Sequence, residues 1–147
     1  MASFEQLWSN LPSGSQFPCD QSKYGNQCAI RMSVALQQAG VDVKNCPAVK
    51  CDYHLNEHKS IKHFLRAQEL ANWFKRSGLF GKTHEYTRTE LNRLGAQTVF
   101  QNRKGIIFIQ DGWGPTDHID LWNGRIIKNG GADYLDKGIS LWFWDIL

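Results

Sequence analysis

Near Gly95 the hydrophobic pattern of this chain changes period, from helical spacing to the spacing of strands. Upstream, Phe4, Leu7, Trp8 and Leu11 follow one helix face behind a Ser3–Gln6 capping-box pattern. Ile30, Val34 and Ala35 form a second stripe, which Asn26 is placed to cap and Gly40 to end. Ala67, Leu70, Ala71 and Phe74 mark a third helix stopped at Gly78, and Thr87 with Glu90 caps a short fourth through Leu94. Downstream, residues 105–110 (GIIFIQ) read as a buried strand and ISLWFWDI as the last one. HIDLW and RIIKN read as two strands joined by Asn123-Gly124, a strong signal for a two-residue hairpin turn. Helices first and antiparallel strands afterwards predict an α+β domain. Residues 12–25 are turn-rich, and residues 41–62 read as loop.

Residues 1–147 show no repeat, low-complexity tract or linker, and the length suits a single domain with one core. The net charge of +3 is scattered, without the basic stripe of a nucleic-acid interface. No run approaches the roughly 18 apolar residues of a membrane span. The opening MASFEQLWSN lacks the basic and apolar regions of a signal peptide. Nucleic acid and membrane are therefore not expected partners, and no cofactor is implied.

A two-residue turn at Asn123-Gly124 pairs Trp122 with Arg125, and counting outward sets His118 opposite Asn129. Such neighbours share a face, with Cβ atoms about 4.5–5.5 Å apart, so the Asn129 amide can orient the His118 imidazole. Asp120, two residues along on the same face, is the alternative. Three roles compete for Cys28: packing, cross-linking and attack. At a helix start its thiol faces the positive end of the helix dipole, which favours the thiolate. A thiolate-forming cysteine and a strand-borne histidine with a polar orienter are the parts of a cysteine hydrolase. A competing zinc set of Cys46, Cys51, His54 and His58 crowds four ligands into thirteen residues and leaves little room for a supporting shell, so no metal is expected. His63 and His84 read as surface residues.

NQCAIRMSVAL and, ninety residues on, DHIDLWNG resemble in combination the type VI secretion amidase effectors of family 4, relatives of the NlpC/P60 cysteine peptidases. The resemblance implies a papain-like α+β domain, with N-terminal helices packed on an antiparallel sheet. It places the nucleophile at Cys28 and the general base at His118. The family's third residue, usually an aspartate, falls on Asn129, with Asp120 again the alternative. The Cys28 backbone N–H is the expected oxyanion donor, and Gln27 a second one. Trp113, in the stretch DGWGPTD, is a candidate substrate contact. Arg31 is a candidate for a stem carboxylate or a structural ion pair.

The implied activity is cleavage of the γ-D-glutamyl–meso-diaminopimelate bond in peptidoglycan stem peptides. The implied partners are the type VI apparatus, which carries the protein without a signal peptide into a target cell's periplasm, and a cognate periplasmic immunity protein. An oxidising destination favours a disulfide, most simply Cys46–Cys51, with Cys19 a competing partner and Cys28 kept as a thiol. Two other readings remain open from the residues: a non-catalytic wall-binding module, and an NlpC/P60-type peptidase or acyltransferase with another substrate.

Overall fold

The helix signals become helices, most of whose ends the same residues fix, in a computed structural model that describes residues 2–19, 25–51 and 63–147. Helix α1 spans Phe4–Asn10, and its capping box is closed. Gln6 N–H donates to Ser3 Oγ at 3.2 Å, and Ser3 N–H donates to Gln6 Oε1 at 2.8 Å. Helix α2, Cys28–Gln38, ends where Val41 N–H reaches back to Leu36 O across Gly40, whose φ is 83°. Helix α3, Ala67–Ser77, stops at Gly78 in the left-handed region. Helix α4, Arg88–Leu94, starts at the Thr87–Glu90 box.

Strands β1 (His84–Thr87), β2 (Gly105–Trp113), β3 (Thr116–Trp122) and β4 (Ser140–Asp145) form one antiparallel sheet in the order β1-β4-β2-β3. Strand β2 is interior and buried on both faces. Ile106 and Phe108 pack beneath α1–α3 with Leu121 and Trp144, whereas Ile107 and Ile109 pack with Phe100, Leu135 and Phe143 on the opposite face. A strand covered on both sides has no polar face to alternate with, hence the unbroken run GIIFI. At Gly105 a Cβ would lie 1.9 Å from Trp144 O, so only glycine fits beside β4. Three elements are not read from the sequence: β1, the five-residue helix α5 (Ala96–Phe100) and a 3₁₀ helix over Ala132–Asp136.

Two connections differ from expectation, and both bear on the site. The stretch DGWGPTD is a bulged hairpin rather than a loop. Trp113 pairs with Thr116 across Gly114-Pro115, and the register shifts between Ile109 and Trp113, with Asp111 at a φ of 54°.

At Asn123-Gly124 the two-residue turn does not form. Asn123 Oδ1 instead accepts the N–H groups of Arg125 (2.9 Å) and Ile126 (2.8 Å), and Asn123 N–H donates to Ile126 O. This side-chain turn, the alternative that asparagine offers the backbone, lengthens the loop. Trp122 therefore bridges to Ile127 rather than Arg125, and no strand follows β3 directly. The register slips by two. Residue parity is kept, so the same side chains share a face, but Asp120 now stands opposite Asn129 and His118 does not.

Candidate active site

Cys28 is the first residue of α2, 5% exposed, with its thiol donating to Asp117 O at 3.8 Å. Asn26 holds this corner from both sides. Its Oδ1 accepts the Cys28 N–H at 3.3 Å and its Nδ2 donates to Asp117 O at 3.3 Å. The start of α2 is thereby pinned to the start of β3, the edge strand of the sheet, one residue before His118. The Cys28 side chain lies close enough to the imidazole to help raise its pKa, and the His118 Nε2 donates to Asp120 Oδ2 at 2.8 Å. Cysteine, histidine and carboxylate thus form one connected line.

Asp120 is 1% exposed and fully engaged. Besides His118, it accepts Leu121 N–H on Oδ1 at 2.8 Å and Asn129 N–H on Oδ2 at 3.0 Å. These donors satisfy both oxygens of a side chain that has left water. Burial alone would discharge His118. The bonds and charges of Asp120 and Cys28 outweigh that desolvation and push its pKa up to about 9. Trp113 and Tyr134 wall the ring edge-on, with centroids 5.8 and 5.2 Å from the imidazole.

The other expected site residues are spent elsewhere. The Asn129 side chain donates to Pro12 O at 2.8 Å, tying the segment to the end of α1, and only its backbone N–H reaches the site, through Asp120. The Gln27 amide is buried and donates to Cys19 O at 3.0 Å. Trp113 is half-buried against His118 and Tyr134 rather than fully exposed. Arg31 binds the carbonyls of Gln16 (3.0 Å) and Gly14 (3.2 Å) and stacks over Phe17, a structural role in which no described residue supplies it a carboxylate partner.

No disulfide joins the four cysteines, all of which lie among the described residues. Cys46 belongs to the main core, while Cys51 sits in a separate cluster with Cys19. His63 is 1% exposed, not at the surface, and its Nδ1 lies 3.1 Å from Cys19 Sγ. Its ring and the sulfurs of Cys19 and Cys51 form a buried group with ligand atoms within 4.8 Å of one another. His84 pairs with Asp145 at 3.3 Å. His54 and His58 of the sequence-read zinc set lie outside the described residues. Asn26 and Tyr134 were missed as site residues. Asn26 reads in the sequence as the cap of α2, but the cap residue is Gln27 and the Asn26 side chain instead accepts the Cys28 N–H; Tyr134 has no local signal because the 3₁₀ helix, Ala132–Asp136, brings it back from beyond β3.

A family model, type VI secretion system amidase effector protein 4, matches residues 24–144. The chain belongs to that family. As an amidase effector 4 protein it is a cysteine amidase of type VI secretion, and the sequence resemblance holds. Solved structures share its papain-like α+β fold. Tae4 of Enterobacter cloacae, in complex with its immunity protein Tai4, has a TM-score of 0.73 and 20% identity, covering 100% of this chain and 99% of that one. The Salmonella Typhimurium Tae4–Tai4 complex gives 0.72 and 22%, with coverage of 100% and 99%. Tae4 of Enterobacter cloacae alone gives 0.72 and 20%, with 100% and 98%. A search of curated proteins found no match.

Proposed function

We propose that this amidase effector cleaves the γ-D-glutamyl–meso-diaminopimelate amide of peptidoglycan stems, with Cys28 as nucleophile, His118 as base and acid, and Asp120 as the residue that orients His118. The observation carrying the reading is the connected line from Cys28 through His118 to Asp120, with His118 held protonated to about pH 9. A protonated imidazole beside the thiol is the partner of an ion-paired thiolate, which attacks without a separate deprotonation step. Attack on the stem carbonyl forms a tetrahedral oxyanion. The Cys28 N–H, at the positive end of α2, stabilises it after exchanging its Asn26 Oδ1 partner for the substrate oxygen. His118 then passes its proton to the departing diaminopimelate amine. With His118 as base, water hydrolyses the thioester.

A cleft of about 300 Å³ is lined by Arg66, Glu69, Thr116 and by Asn26 and Asp117, the two residues that bond to Cys28. Its charges of both signs suit a stem that carries carboxylates and amines. Action in a target cell's periplasm follows from the wall substrate and the secretion family. Since relatives are solved with a bound immunity protein, a cognate immunity protein closing this cleft is part of the proposal. Digestion of diaminopimelate-type muropeptides, with products read by mass, tests it. Wild type should release a new diaminopimelate amine end and Cys28→Ala should not. Cleavage by Cys28→Ala at the wild-type rate, or cleavage at another bond, would contradict it.

A further inference from the structure

We propose that Cys19 and Cys51 are a built oxidation site, closing a disulfide that clamps the start of the nucleophile helix. Cys19 and Cys51 are each 1% exposed, and their sulfurs lie within 4.8 Å of each other and of His63 Nδ1. A side-chain rotation closes such a gap to bonding distance. The reaction described for Cys28 leaves all three groups idle. Among the described residues, Cys19 and Cys51 cluster with Ile30, on α2, and Leu65. His63 engages both thiols: its Nδ1 lies 3.1 Å from Cys19 Sγ, and its backbone N–H donates to Cys51 Sγ at 3.3 Å. The imidazole on the Cys19 sulfur is placed to accept the proton that thiol–disulfide exchange must remove.

The oxidant is a disulfide donor, such as oxidised glutathione or a dithiol oxidase. His63 takes the Cys19 proton, and the thiolate attacks one donor sulfur, releasing the other as a thiol. The Cys51 thiolate then attacks Cys19 Sγ and releases the second donor thiol. Two protein thiols are oxidised, one donor disulfide is reduced, and both protons end on the donor thiols. Because both sulfurs are buried, exchange is fastest while the chain refolds, and the finished bond is shielded from reductant.

The link would close a loop of about 30 residues that contains Cys28. Cys19 O already accepts the Gln27 side chain at 3.0 Å, so the link braces the residue next to the nucleophile. Cys46, the other thiol considered for Cys51, lies in a different cluster, and burial pushes its pKa up.

Refolding in a glutathione buffer, followed by intact mass and non-reducing peptide mapping, tests the site. Wild type, Cys46→Ser and Cys28→Ala should each lose about 2 Da and yield a Cys19–Cys51 peptide. Cys19→Ser and Cys51→Ser should yield no intramolecular disulfide. The oxidised wild type should melt roughly 5–15 °C above the reduced form. A Cys46–Cys51 peptide, four alkylatable thiols after oxidation, or one equivalent of zinc that blocks oxidation would overturn the proposal. None of these outcomes depends on which bond Cys28 cleaves.

Discussion

At His118 two opposing effects meet. Burial favours the neutral ring, while the hydrogen bonds and charges of Asp120 and Cys28 favour the imidazolium, and the second set prevails with a pKa of about 9. This value lies above the ordinary 6.5, so the associated stability is fully present below about pH 6.5 and is lost as pH rises through about 9. The rate of amide cleavage should fall over the same upper limb, since leaving-group protonation needs the charged ring. Asp120→Asn should lower the His118 pKa, which a ¹H–¹⁵N NMR titration of the imidazole would show directly. An unchanged titration in Asp120→Asn would show that Asp120 is not what holds the proton.

At the scale of elements, the site depends on the β3 edge lying where α2 begins. The Asn26–Asp117–Cys28 corner makes that junction, and the packed sheet keeps β3 in register. Gly105 pairs with Trp122 on one side and Asp145 on the other, where a Cβ would meet Trp144 O. Gly105→Ala should therefore cost about 2–4 kcal/mol of stability in denaturant unfolding. A loss below about 0.5 kcal/mol would mean that the strands separate easily there.

The helices and the interior strands were legible in the sequence because caps and hydrophobic period are local signals. Strand β1 was not, since its four residues are specified by pairing with β4 from across the chain. Asn123-Gly124 marked a turn correctly but hid its length. The asparagine side chain captured two backbone N–H groups that a two-residue turn would have placed otherwise. That one local competition moved the partner of Asn129 from His118 to Asp120. The even-numbered slip is why His118, Asp120 and Asn129 stay on one face although the pairing differs from the expected one. The buried His63 cluster was illegible for another reason: it joins segments 44 residues apart, and no periodicity links them.

Across the whole molecule, Cys28 and His118, ninety residues apart, meet where the start of α2 is bonded to the start of β3, in a sheet covered on both faces. Helices α1–α3 pack on one side, and α4 and α5 on the other. The proposed chemistry is therefore a property of the complete fold, with Cys28 on its first long helix and His118 and Asp120 on an edge strand. Family membership fixes the amidase class, and the carboxylate beside His118 is where this chain departs from the family's expected third position. Asn129, at that position, supplies a backbone N–H to Asp120 and ties its side chain to Pro12. The two assignments predict opposite results from one experiment: kcat/KM on a diaminopimelate-type muropeptide for Asp120→Asn and Asn129→Ala, each checked for folding by circular dichroism. The account predicts a loss of about 10²–10⁴-fold for Asp120→Asn, and less than about tenfold for Asn129→Ala, which removes one side-chain bond. A crippled Asn129→Ala beside a near-native Asp120→Asn would contradict it.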